Sequence, residues 1–262
     1  MNLLDGIILG IIQGLTEFLP VSSTAHLAIL EHFLGVNPSG VLFEIILHLG
    51  TMLSIIIYFR KDIGALIISF MGLFSEKYRI DYYENKRLFW AIIVGSIPTA
   101  FIGFLFKDYI DSLFVDLALI GYSLIITSLF LIFSDFLKPT GGLNNFKGFI
   151  IGIFQGLAVI PGISRSGMTI STAIMCNIKR QESAKYSFLL SLPAIFGATL
   201  LHVKELAELN LTNMRIYVFS GVISFLTGLL AIFLVLQFIK RAKFKIFALY
   251  CLILGIYLVI WL

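Results

Sequence analysis

The chain has 262 residues, of which 59% are hydrophobic and only 13% charged, with a mean hydropathy of +1.00 and a net charge of +4. Charged residues make up about half the share usual in a soluble domain, and long apolar runs recur from end to end. That excludes a soluble globular protein. The absence of short alternating strands excludes an outer-membrane barrel and leaves an all-α polytopic membrane protein.

Met1-Asn2-Leu3-Leu4-Asp5 carries no basic residue, so no cleaved signal peptide is expected. Cys176 and Cys251 are far apart in apolar surroundings and read as small buried hydrophobes. Basic loops prefer the cytoplasm. Residues 60–87 hold six Lys and Arg, and 239–245 hold four, which places both loops inside. The loops at 136–147, with Lys138 and Lys147, and at 179–185, with Lys179, Arg180 and Lys185, then also lie inside. Residues 31–42, 107–116 and 204–215 lie outside. Six full spans follow, near 43–59, 88–106, 117–135, 187–203, 216–238 and 246–262. These basic loops are topology determinants and no nucleic-acid partner is expected.

Residues 148–178 begin and end on the inside, and 31 residues are too many for one span and too few for two. A re-entrant helical hairpin fits. The start of the chain, 5–30, reads as a second hairpin entering from the outside, with two short full crossings as the alternative.

The two hairpins resemble each other. Gly6-Ile-Ile-Leu-Gly10-Ile-Ile-Gln13-Gly14-Leu15 matches Gly148-Phe-Ile-Ile-Gly152-Ile-Phe-Gln155-Gly156-Leu157 at an offset of 142, and each runs through a proline into a serine cluster. Further matches fall to an offset of 128 around Tyr122 and Tyr250, which calls for an insertion of about fifteen residues in the first half; the polar run 72–86 is the candidate. The chain therefore reads as one integral membrane domain, 1–262, built from repeat one, about 1–138, and repeat two, about 146–262. Each repeat is a hairpin plus three spans. Three is odd, so the halves have inverted topology, and sites in such folds form where the broken helices meet near the midplane.

Gln13 and Glu17 share one helix face, being four residues apart. Pro20 ends that half-helix, and Ser22, Ser23 or Thr24 caps the next, with His26 in its first turn. The second hairpin repeats the device with Ser164 and Ser166 and adds Arg165. An Arg at membrane depth costs about 2.5–3.5 kcal/mol on insertion scales; pairing with Glu17 or with a phosphate would offset it. Half-helix N-termini suit an anion. Together these groups supply phosphate donors, a nucleophile, an acid or base and a hard-metal ligand, the inventory for phosphoryl hydrolysis at a lipid headgroup. His32, His48 and His202 read as structural hydrogen-bonding groups, and the Gly10, Gly14, Gly152 and Gly156 spacings as helix contacts.

The run Gln13 to His26, with its Phe-Leu-Pro-Val-Ser-Ser-Thr core, and the run Pro161-Gly-Ile-Ser-Arg-Ser-Gly167 resemble the two motifs of the undecaprenyl-diphosphate phosphatase family, also called the bacitracin-resistance protein family. The likeness covers essentially the whole chain. It implies hydrolysis of undecaprenyl diphosphate to the monophosphate, which recycles the carrier lipid for peptidoglycan synthesis. It also implies dependence on Mg²⁺ or Ca²⁺ and a site open to the outer face of the bacterial inner membrane. Glu17, Ser23, His26 and Arg165 fall on positions the family uses. Gln13 stands where the pattern often has a carboxylate, which bears on any mechanism needing two carboxylates on the metal. Expected roles are a diphosphate clamp of Arg165 with Ser22, Thr24, Ser164 and Ser166, metal binding at Gln13 and Glu17, and Ser23 as nucleophile assisted by His26. His26 as phospho-acceptor is the alternative. A homodimer is compatible with this reading, and a secondary transporter or flippase of a polyprenyl phosphate lipid is the competing function.

Overall fold

The protein is described by a computed structural model covering residues 1–36, 41–106, 116–202, 211–240 and 244–261. The expected loops 31–42, 107–116, 204–215 and 239–245 lie partly or mostly outside these residues. Among the described residues there are eleven α-helices and no strand. In chain order they are α1 (Leu3–Phe18), α2 (Ser23–Leu34), α3 (Val41–Tyr58), α4 (Arg60–Met71), α5 (Arg79–Leu105), α6 (Leu117–Asp135), α7 (Asn145–Leu157), α8 (Arg165–Met175), α9 (Arg180–Leu201), α10 (Leu211–Lys240) and α11 (Phe244–Trp261).

Among the described residues four helical stretches are each long and apolar enough to cross a membrane: Glu76–Leu105, which includes α5, then α6, α9, and Met214–Lys240 of α10. Residues of α3 and α4 pass that test jointly, although the pair is bent by 81°. The apolar helix α11 is shorter, extending about 26 Å over its described part. The chain is an all-helical, multi-pass membrane protein. All six stretches expected to span are helical over their described residues, with one difference between 60 and 87. There α4 and the first turns of α5 stand where a loop is expected. The charges at Arg60, Lys61, Lys77 and Arg79 mask an apolar window between them, from which Ile63 and Leu66 pack on the main core. An ion pair from Lys185 to Asp62 ties α4 to α9.

The helices α1, α2, α7 and α8 are 16, 12, 13 and 11 residues long, each too short to span a bilayer alone. Their ends are written in local chemistry. Asn2 and Asp5 form a reciprocal capping box at the start of α1, at 2.9 and 2.7 Å. That helix stops because Leu19 precedes Pro20 and is extended, φ −65° and ψ 140°. Ser22 caps α2, Asn144 caps α7 and Ser164 caps α8, each by a side-chain oxygen that accepts a first-turn N–H. Gly35, at φ 61°, closes α2 with its N–H on Glu31 and His32 carbonyls.

Glycine ridges set the helix packing. Helix α1 lies on α10, where a Cβ at Gly10 would fall 2.6 Å from the Ser220 carbonyl oxygen. Helix α7 lies on α5, where a Cβ at Gly152 would fall 2.0 Å from the Gly95 carbonyl oxygen. Gly121 of α6 and Gly255 of α11 face each other in the same way. The main core, with Phe18, Val21, Ala25, Ile170, Ile174, Phe188 and Cys251, packs between both hairpins and α6, α9, α10 and α11. It brings the tips of the two hairpins face to face.

Candidate active site

The centre of the site is the buried Glu17, in the last turn of α1. Its Oε1 accepts a hydrogen bond from Arg165 Nη2, at the first position of α8. Its Oε2 accepts from Ser23 Oγ at 2.6 Å and from Gln13 Nε2 at 3.0 Å. Helix spacing explains the Gln13 contact, and the Pro20 turn explains Ser23, because it folds the start of α2 back over the end of α1. A second link joins the two tips: Ser166 Oγ donates to the Leu19 carbonyl at 3.1 Å. The carboxylate and guanidinium offset each other's burial, since either alone in this interior would be strongly destabilising.

The tip of the first hairpin is strained. Ser22 sits at φ 67° and ψ 101°, a region L-residues rarely adopt. Its Oγ accepts from Ala25 N at 3.3 Å, so the strained residue is also the helix cap. At the other tip the positive φ belongs to Gly162, at 87°. Ser164 N donates to Thr127 Oγ1 at 3.0 Å and Ser164 Oγ lies 3.3 Å from Ser166 Oγ, which fastens this tip to α6. The first residues of α2 are Ser23 and Thr24, and those of α8 are Arg165 and Ser166. Both helix N-termini therefore present first-turn N–H groups beside one carboxylate.

Of the residues singled out from the sequence, Gln13, Glu17, Ser23 and Arg165 form one hydrogen-bonded group. Ser164 and Ser166 lie next to it. Ser22 holds the turn, and Thr24 is half-buried in the first turn of α2. His26 points elsewhere. Its Nδ1 lies 2.7 Å from the Ser22 carbonyl oxygen and its Nε2 2.6 Å from the Tyr250 hydroxyl, with the two rings stacked at 5.6 Å.

One residue in the group was read from sequence as merely structural. His48 Nδ1, on α3, lies 3.0 Å from Gln13 Nε2 and 3.4 Å from Glu17 Oε2. The available signal was an ionisable side chain in the middle of an apolar span, itself a marker of function.

Two buried atoms of the group have no partner: Gln13 Oε1 and Arg165 Nη1. The first is a hard oxygen beside a carboxylate, the second a cationic donor. Among the described residues no three His, Cys, Asp or Glu side chains gather as a metal cage. The donor set is one carboxylate and one amide oxygen, which suits a hard cation that completes its shell with substrate oxygens and water. Chemically, the group offers a hydroxyl hydrogen-bonded to a carboxylate, a guanidinium with one free arm and two helix N-termini.

A profile of the family described as "Bacitracin resistance protein BacA" matches residues 6–257. Similar curated proteins include an undecaprenyl-diphosphatase from Syntrophotalea carbinolica, 40% identical, with 97% of each chain covered. Another, from Desulforapulum autotrophicum, is 39% identical over 98% of this chain and 97% of its own. A third, from Methanosphaera stadtmanae, is 39% identical over 99% and 98%. All three carry the name undecaprenyl-diphosphatase.

Proposed function

The chain belongs to the bacitracin resistance protein BacA family, and from this premise and the geometry around Glu17 we propose that it hydrolyses undecaprenyl diphosphate to undecaprenyl phosphate and inorganic phosphate. That reaction recycles the carrier lipid of peptidoglycan synthesis and counters bacitracin. The observation that carries the reading is the chain Ser23 Oγ to Glu17 to Arg165, which joins a nucleophile, a base and a phosphate clamp across the two hairpins.

Arg165 Nη1 and the N-termini of α2 and α8 hold the terminal phosphate, with the hydroxyls of Ser22, Thr24, Ser164 and Ser166 around it. Ser23 Oγ attacks the terminal phosphorus while Glu17 Oε2 takes its proton. The bond from that phosphorus to the bridging oxygen breaks, and the electron pair leaves on undecaprenyl phosphate, which takes the proton from Glu17 and frees its carboxylate. Glu17 then takes a proton from water, whose oxygen attacks the phosphoserine, and passes that proton to Ser23 Oγ as the Ser23–phosphorus bond breaks and inorganic phosphate leaves. His26 is the less suited nucleophile, because both ring nitrogens already have partners. Its role in this reading is to hold the start of α2 against α11.

Gln13 Oε1 and Glu17 would hold Mg²⁺ or Ca²⁺, which neutralises charge on the phosphate oxygens when bound. His48 fixes the Gln13 amide and the Glu17 carboxylate relative to each other. The paired crossings of α1 on α10 and α7 on α5 support the inverted-repeat reading, in which each half contributes one hairpin to the site. The charge pattern supports a cytoplasmic-membrane location with the site opening outward. A transporter would use the Glu17–Arg165 pair but has no need of a hydroxyl hydrogen-bonded to that carboxylate.

The test is phosphate release from undecaprenyl or shorter polyprenyl diphosphates by purified protein in detergent. Release that EDTA abolishes is the expected result. No release from any polyprenyl diphosphate would overturn the assignment.

A further inference from the structure

Away from the active site, the ends of α6, α9 and α10 enclose an open cavity of about 590 Å³. It is lined by Asp135 to Thr140, Lys179 to Glu182, Ile239 and Lys240. Helix α8 carries the chain about 16 Å from Arg165 toward this end, so the cavity is separate from the phosphatase centre. Residues from three of the four loops that the charge pattern puts inside meet here.

The cavity has four cations, Lys138, Lys179, Arg180 and Lys240, against two carboxylates, Asp135 and Glu182. Both carboxylates are engaged. Asp135 Oδ1 lies 3.5 Å from Arg180 Nη1 and accepts from Phe244 N at 3.3 Å, while Glu182 accepts from Leu143 N at 3.1 Å. Arg180 is structural on its other arm: Nη2 donates to the carbonyls of Ser134, Asp135 and Leu137, closing the end of α6. Lys138, Lys179 and Lys240 have no ion pair among the described residues and are exposed. No side chain caps α9, so its first-turn N–H groups open on the same space. Phe136 and Leu137, 67% and 41% exposed, form an apolar wall of the cavity, with the Lys245 ammonium 5.1 Å over the Phe136 ring.

We propose that this cavity binds the phosphodiester headgroup of an anionic phospholipid of the cytoplasmic leaflet. A surplus of unpaired ammonium groups faces the phosphate, an uncapped helix end adds donors, and the apolar wall takes the upper acyl chain. Basic pockets between membrane helices on that side have the charge and depth for this ligand. A soluble anion would meet the same cations but would gain nothing from Phe136 and Leu137.

The experiment compares wild type with the variant Lys138→Gln/Lys179→Gln/Lys240→Gln, leaving Arg180 in place so that the end of α6 stays closed. Purified protein in neutral detergent is titrated with phosphatidylglycerol, phosphatidylcholine or inorganic phosphate, and retained lipid is counted by native mass spectrometry alongside the melting temperature. Phosphatidylglycerol should be retained by wild type and by Arg165→Ala, and should raise the melting temperature. The triple Gln variant should bind it about a hundredfold more weakly, as each basic residue near a membrane surface contributes roughly a fivefold gain. A triple Arg variant at the same positions should keep the response, which separates lost charge from lost fold. Equal retention by the Gln variant, equal binding of phosphatidylcholine, or full stabilisation by inorganic phosphate alone would each overturn the proposal.

Discussion

Arg165 donates through Nη2 to Glu17 Oε1, a hydrogen bond that joins residues 148 positions apart at the tips of two broken helix pairs. Glu17 is buried and the Arg165 side chain is only 16% exposed, so neither charge has water as an adequate substitute partner. The same contact that makes the site possible makes each partner a structural liability without the other.

Removing one partner should therefore show in two readouts. Arg165→Ala is expected to lower kcat/KM for polyprenyl diphosphate by about 10²-fold or more, the scale of losing one transition-state donor, and to lower the melting temperature in detergent. Breaking a buried pair costs about 3–5 kcal/mol. Glu17→Leu/Arg165→Met removes both charges and should recover most of the melting temperature while staying inactive. If it melts as low as Arg165→Ala, the pair is not the source of the instability.

The contacts of Ser23 and His26 separate their roles. Ser23→Ala deletes a hydroxyl that donates to Glu17 and should abolish phosphate release with little change in melting temperature. Tyr250→Phe removes the partner of His26 Nε2 and should reproduce only a modest part of the His26→Ala defect. An active Ser23→Ala beside an inactive His26→Ala would reverse the choice of nucleophile.

Gln13 and His48 bear on the cation. Gln13→Glu places a second carboxylate at the orphaned Oε1, so the Mg²⁺ concentration giving half-maximal phosphate release should fall. His48→Ala frees the Gln13 amide and should raise it, and EDTA should stop all three proteins. A metal dependence identical in wild type and both variants would remove Gln13 and His48 from the cation site.

The ridge contacts predict a graded packing series. Gly152→Ala sets a methyl against the Gly95 backbone and should cost about 1–3 kcal/mol. Gly10→Ala, whose added Cβ meets the Ser220 carbonyl, should be harmful too. Gly64→Ala and Gly103→Ala have open space around the added Cβ and serve as controls. Thermal melts in detergent should rank them in that order.

Much of this site was readable because intramembrane charge is costly. Glu17 and Arg165 stand out in apolar sequence, and the Gln13–Glu17 spacing is a helix face. The Pro20 and Pro161 breaks and their serines marked the two tips. The contacts of His48 and Tyr250 were not readable, because their partners come from packing: His48 lies 35 residues from Gln13 and Tyr250 lies 224 from His26. No local pattern encodes those contacts. Helix α4 was hidden for a different reason, since flanking charges outweighed an amphipathic run only 12 residues long.

The crossing of α1 on α10 has a consequence for how the protein is made. Phe18 ends α1 and Leu211 begins α10. At the usual pace of synthesis, roughly 10–40 s separate their emergence from the ribosome. The hairpin that holds Gln13 and Glu17 emerges well before the surface its glycine ridge fits. During that interval the carboxylate must be sheltered in the insertion machinery or at the headgroup boundary. The group around Glu17 is thus supported only once α10 has followed it, and a chain interrupted before α10 carries an unassembled site.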